Sequence, residues 1–241
     1  MAFKRTWLAD ARPARRTLWR GVEAQHRVAT MRLVDDSEEQ ALLEQLIEDS
    51  KPPLLPGSEK AHWLLFTPFR YTSPWPSRFR RPHEPGAWYG ADTPITVAAE
   101  LAHWRWRFLA DSEGLQSRQV ITELTFFQAR FAGLELDITQ PPWSRHRKTW
   151  RSDDYTQCHL LAAQAREPRE GQPPVQAIRY ESARREGGLC GVVFDPAALA
   201  RDPGGVQQTW TCKSTAARVL IAHEDDILQF EMAHALPLKK T

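Results

Sequence analysis

The chain has 241 residues, with 32 Lys+Arg against 30 Asp+Glu for a formal net charge of +2, and 41% hydrophobic against 26% charged side chains. That composition excludes wholesale disorder, and no window reaches the roughly 18 consecutive apolar residues of a membrane-spanning helix. Three widely spaced cysteines (Cys158, Cys190 and Cys212) make no disulfide framework, and the N-terminus lacks the apolar stretch of a secretory signal, so a cytoplasmic location is expected.

The balanced charge conceals a local split. Residues 1–34 carry eight basic side chains against Asp10 and Glu23, whereas residues 35–50 carry seven acidic side chains and no Lys or Arg. Such neighbours predict an antiparallel helical hairpin: Leu18, Val22, Ala29 and Leu33 form a weak stripe, and Leu42, Leu43, Leu46 and Ile47 a better one behind a Ser37–Gln40 capping pattern. Lys51 to Gly57, with three prolines, cannot continue a helix and reads as a linker, dividing a 1–57 extension from a 58–241 body. Trp63 to Tyr71 reads as a strand, confined by Pro68 to an edge or bulge. Thr93-Pro94 starts a helix that runs to about Leu109, its apolar stripe being Val97, Leu101, Trp104 and Phe108 with Glu100 on its border. Val120–Gln128 and Leu134–Ile138 read as two strands and Asp154–Arg166 as a short helix. Val175–Ala183, Leu189–Asp195, Thr209–Lys213, Arg218–His223 and Ile227–Met232 read as five more strands. Few helices among many short strands is an α+β pattern rather than a βαβ alternation.

Several chemistries lack their signatures. There is no phosphate-binding Gly-rich loop, no G-x-S-x-G elbow and no H-E-x-x-H or C-x-x-C spacing, so no metal site is expected. Adjacent Cys158 and His159 point to different sides of a helix and make a poor catalytic pair. The Asp153-Asp154 and Asp225-Asp226 pairs read as surface turns. What remains is a series of polar residues in apolar segments: Arg70-Tyr71, Arg78, Tyr89, Glu100 and Ser182. Together they suit a pocket for a phosphorylated aromatic ligand, with arginine forks for a diphosphate, tyrosine faces for a ring and a carboxylate for positive charge. Taken singly, each also fits a routine partly buried position.

In their order these residues resemble the RES domain, the toxin component of RES–Xre toxin–antitoxin systems. The carriers are Phe69-Arg70-Tyr71, Ser77-Arg78-Phe79, Trp88 to Glu100, Arg179 to Arg184 and Cys190 to Phe194, and the resemblance spans about residues 60–235. Ser77, Arg80 and Val97 stand where the family pattern has Gly, Asn and Ala, which leaves the second pocket arginine open among Arg78, Arg80 and Arg81. The resemblance implies an ADP-ribosyltransferase-like mixed β core with flanking helices, NAD as the substrate and no metal. It implies a toxin that consumes NAD by hydrolysis or phosphorolysis, or transfers ADP-ribose to a protein, and that an Xre-type antitoxin holds inactive. Nucleic acid would be met only through that antitoxin. By the same resemblance Arg70 and Arg78 would grip the diphosphate or ribose, Tyr71 and Tyr89 would line the nicotinamide pocket, Ser182 would hydrogen-bond the ribose, and Glu100 would stabilise the ribosyl cation. The alternative class is a nucleic-acid-binding protein using the basic N-terminal region and the Arg145–Lys148 cluster, whose binding would be strongly salt-dependent.

Overall fold

The computed structural model describes residues 3–24, 30–31, 33–53, 62–169 and 171–231, and among them the basic N-terminal stretch is extended rather than helical. A 3-10 turn at Arg5–Asp10 leads into strand β1 (Arg12–Glu23). The expected first helix fails for a definable reason. Leu18 and Val22, four residues apart, share a face in a strand as well as in a helix, so their spacing does not choose between the two. The choice falls to a twelve-residue antiparallel ladder with the later strand at Val120–Asp137, from Arg12↔Glu135 to Glu23↔Leu124. Ala29 of the expected stripe lies outside the described residues. Helix α1 (Ser37–Asp49) forms as expected, but its cap is Asp36, whose side chain accepts from the Glu38 and Glu39 amides. No residue of α1 is buried. Its Glu48 pairs with Lys51 and Arg70 rather than with the basic strand. Pro56 and Gly57 of the expected linker lie outside the described residues.

The predicted strand at 63–71 is helix α2 (Trp63–Arg70). Leu64 and Leu65 are adjacent and both buried, together with Phe69. A strand would turn the first two to opposite faces, whereas a helix turns all three toward one side. Pro68 lies inside this short helix, at its sixth position, where it forgoes the amide bond to the Leu64 carbonyl. Strand β2 (Trp88–Ala91) follows, then helix α3 (Pro94–Ala110), capped by Thr93 with Pro94 in its first turn. The buried side of α3 is made of small residues, Ala98, Ala99 and Ala102, with Val97 and Leu109, so the helix lies close on the sheet. Trp104 and Phe108 of the expected stripe are exposed instead.

The two strands expected over 120–138 are one continuous strand, β3 (Val120–Asp137). Helices α4 (Arg147–Arg151) and α5 (Thr156–Arg166) come next, then β4 (Ala177–Glu181), β5 (Leu189–Val193), β6 (Leu199–Arg201), β7 (Gln207–Ser214), β8 (Arg218–His223) and β9 (Asp226–Glu231). The last strand was expected to end at Met232, which lies outside the described residues. All pairings are antiparallel except β3–β4. The order is β1-β2-β5-β4-β3-β7-β8-β9, with β6 also on β3, and β1 pairs with β3 as well as β2. Five strands therefore close on themselves, and β7–β9 extend the sheet from β3. The expected α+β architecture is present. One core cluster includes Ala98 and Ala102 of α3 with Leu124, Phe126 and Trp210; another joins Leu64 and Phe69 of α2 to Leu18, Trp88 and Phe127. Among the described residues no helix is long and apolar enough to cross a membrane.

Candidate functional site

Where α3 crosses the end of β1 and β2, the chain encloses a cavity of about 240 Å³. Glu100, Leu101 and Trp104 come from α3, Tyr89 from β2, Tyr180 from β4 and Cys190 from β5. Arg20 from β1, together with Arg78, Tyr155 and Arg184 from loops, completes the polar part of the wall.

Glu100 is placed by two devices. The first fixes the start of its helix: Arg179 of β4, itself buried, makes a two-pronged ion pair with Asp92 (3.0 and 2.5 Å), just ahead of the Thr93 cap. The second fixes the carboxylate. Ser182, fully buried, donates its hydroxyl to Glu100 Oε1 at 2.6 Å and accepts the Arg184 and Arg185 amides at 3.1 and 3.0 Å. A serine hydroxyl has one proton and two lone pairs, and all are engaged here. Ser182 stands behind Glu100 and is not among the residues lining the cavity.

Arg78 is buried, donates to the Trp150 and Ser152 carbonyls at 2.9 and 2.6 Å, and lies 4.9 Å from the Tyr155 ring centroid. Of the three arginines in its loop it is the one on the cavity wall. Arg80 is turned onto the Ser73, Trp75 and Arg81 carbonyls, and Arg81 pairs with Glu84. Tyr89 fastens the same loop, its hydroxyl 2.8 Å from Ser77 Oγ and accepting the Phe79 amide at 3.1 Å. Burial raises the Tyr89 and Tyr180 phenols and the Cys190 thiol above their ordinary values, so all three stay protonated at neutral pH.

Arg70 and Tyr71 are not brought to this cavity. Arg70, at the end of α2, bonds to the Pro52 carbonyl and to Glu48, and Tyr71 opens onto a second cavity. The cation that does stand there is Arg20, which sequence reasoning left among the charges of a helical hairpin. It donates to the Tyr89 carbonyl at 2.8 Å, lies 5.4 Å from the Trp88 ring centroid, and its buried Nε has no partner among the described residues. Burial without a carboxylate lowers its pKa to about 10, so it is still cationic at neutral pH. The available signal was the Leu18-Trp19-Arg20-Gly21 run, apolar residues ending in a cation and a glycine at a strand end. Gly21 is needed there, since a Cβ would fall 2.5 Å from Leu101 and 2.6 Å from Phe126.

The Arg145–Lys148 cluster is partly neutralised, because Arg147 pairs with Glu181 and, at 2.5 Å, with Glu186. The basic N-terminal stretch is likewise dispersed, with Arg5 on Glu167 and Arg16 on Glu135. Among the described residues no group of three or more His, Cys, Asp or Glu is arranged to hold a metal.

The model of one protein family, the RES domain, matches residues 54–214. No curated protein matches the chain. Among solved structures, the crystal structure of the M. tuberculosis MbcT–MbcA toxin–antitoxin complex is similar with a TM-score of 0.48 and 12% identity, over 86% of this chain and 93% of that one.

Proposed function

The chain belongs to the RES domain family, and from that premise we propose that it is an NAD-consuming toxin of a toxin–antitoxin system, cleaving the nicotinamide–ribose bond. The observation that carries the reading is the cavity in which a carboxylate held by Ser182 faces the guanidiniums of Arg20 and Arg78 across tyrosine rings. NAD offers a matching set: an anionic diphosphate, ribose hydroxyls and a cationic aromatic ring.

In the proposed reaction the bond between ribose C1′ and the pyridinium nitrogen breaks, and its electron pair leaves with the nitrogen. Nicotinamide departs as a neutral base, so no general acid is required. The charge develops on the ribose as an oxocarbenium-like cation. Glu100, fixed in a low-dielectric wall, offsets that charge and holds a ribose hydroxyl. Arg20 and Arg78 hold the diphosphate, with Tyr89, Tyr155 and Tyr180 bounding the ring. Water then adds to C1′ and loses a proton to solvent, giving ADP-ribose; phosphate adding at the same carbon gives the 1-phosphate. Transfer of ADP-ribose to a protein uses the same cation with a side-chain nucleophile. Ser182, whose proton is committed to Glu100, is a positioning residue.

The mouth of the cavity supports the remainder of the proposal. Trp104 lines it and is 44% exposed, and Phe108, one turn on, is 55% exposed. An apolar rim over a cavity that holds the carboxylate and arginines suits a covering protein such as an Xre-type antitoxin, in a cytoplasmic setting. The direct test is to incubate the purified protein with NAD and measure nicotinamide released. Wild type releases it, and Glu100→Gln lowers the rate about 10²–10³-fold. No release by wild type, or equal release by the variant, overturns the proposal.

A further inference from the structure

Arg20 borders two cavities. On one side lies the Glu100 cavity; on the other is a second of about 170 Å³ between the end of β1 and α2, lined by Val22, Glu23, Trp63, Thr67 and Tyr71 among others. Arg20 lies just beyond the pairing of β1 with β2. Those strands pair at the single position Trp19↔Ala91, whereas β2 and β5 pair at four. Arg20, the residue after Trp19, lines both cavities, and its buried Nε has no hydrogen-bond acceptor among the described residues. An unsatisfied donor on a buried cation is costly unless a ligand supplies the acceptor.

The second cavity has its own chemistry. Trp63 and Tyr71 keep 47% and 38% of their surface exposed beside it, so large aromatic faces are available there. At its rim the Glu23 carboxylate is held at 2.8 Å by Arg105, which fixes an acceptor in place. Aromatic faces with a fixed acceptor are what a purine bearing an exocyclic amine requires, since any base offers a π-face and adenine adds an N–H donor. The Glu100 cavity, by contrast, provides for the ribosyl cation.

We propose that the second cavity is the adenine subsite, and that the dinucleotide spans the two cavities with its diphosphate against Arg20, the residue they share. The assignment rests on the reading that NAD is the substrate. It also gives Tyr71 a place in recognition, on the adenine side rather than the nicotinamide side.

Two measurements test it. In the first, nicotinamide release is compared for NAD and for nicotinamide mononucleotide, which lacks the adenylate half. Wild type favours NAD in kcat/KM by tenfold or more. Trp63→Ala reduces that preference about tenfold, through KM, while Trp63→Phe keeps it. A wild type without preference, or a preference unmoved by Trp63→Ala, overturns the subsite. In the second, AMP, which has no scissile nicotinamide bond, is titrated by calorimetry. Wild type and Trp63→Phe bind it, and Trp63→Ala and Arg20→Gln weaken it at least tenfold. AMP binding with that pattern but no nicotinamide release from either substrate leaves the purine subsite standing and removes the proposed reaction. Absence of AMP binding to wild type removes the subsite even where NAD is cleaved.

Discussion

Ser182 uses every hydrogen-bonding capacity it has, on one carboxylate and two amides, so its removal acts on Glu100 rather than on a ligand. Ser182→Ala is expected to lower kcat for nicotinamide release about 10–100-fold with little change in KM, the signature of a misplaced group rather than of lost binding. A proportional rise in KM would instead place the hydroxyl on the substrate. His103, three residues beyond Glu100, has a different consequence. Burial, then the neighbouring cations Arg184, Arg107 and Arg78, opposed by Asp153, lower it from 6.5 to about 4. The unfolded chain therefore binds more protons than the folded one between those values, and the unfolding free energy falls as pH drops from about 6.5 toward about 4. Denaturant titrations across that window check the slope, and His103→Gln flattens it. At this scale Glu100, Tyr89, Arg78 and Ser182 could be picked from the sequence by their order, which resembles the RES pattern, since singly each fits a routine partly buried position. Arg20 was obscured because it sits in a run rich in arginine, where the Leu18-Trp19-Arg20-Gly21 context is the one local sign that separates it from its solvated neighbours.

Elements with an unambiguous period were legible. The Thr93-Pro94 start of α3, the doubly buried strands β4 and β5 and the alternating strands β7 and β8 occur where their patterns put them. The misread elements share a cause, a spacing that fits both periods. Leu18 and Val22 are on one face whether the chain is helical or extended, and the eight residues of α2 are too few for a propensity to dominate. Tertiary packing decided both: a ladder to β3 for the first and burial of Leu64, Leu65 and Phe69 for the second. The approach of α2 to the chain entering β2 also depends on one residue that no pattern announces. A Cβ on Gly86 would fall 1.7 Å from the Pro68 carbonyl oxygen and 3.0 Å from that of Tyr71. Gly86→Ala is therefore expected to destabilise by about 1–3 kcal/mol or more, read in a thermal melt as a loss of about 2–4 °C per kcal/mol. An unchanged melting temperature would mean that α2 moves away freely.

For the molecule as a whole, a net charge of +2 reflects local neutralisation between distant segments: Arg16 with Glu135, Arg105 with Glu23, Arg166 with Glu84 and Arg179 with Asp92. Arg20 and Arg78 take backbone carbonyls instead, so the site retains positive potential in a chain with almost none overall. If that potential serves NAD consumption, expression without a partner halts growth and lowers the cellular NAD pool, and Glu100→Gln restores both. Arrest with an undiminished pool would count against the reading. The closure of five strands through β1 has a bearing on synthesis as well. Arg20 is made 162 positions before Ser182, which secures the site's carboxylate, and β5 follows at Leu189–Val193. At about 5–20 residues per second, the nascent chain carries an incomplete cavity for about 8–30 seconds. On the proposed reading the site cannot assemble before β5 is made, so chains truncated ahead of Leu189–Val193 are expected to release no nicotinamide.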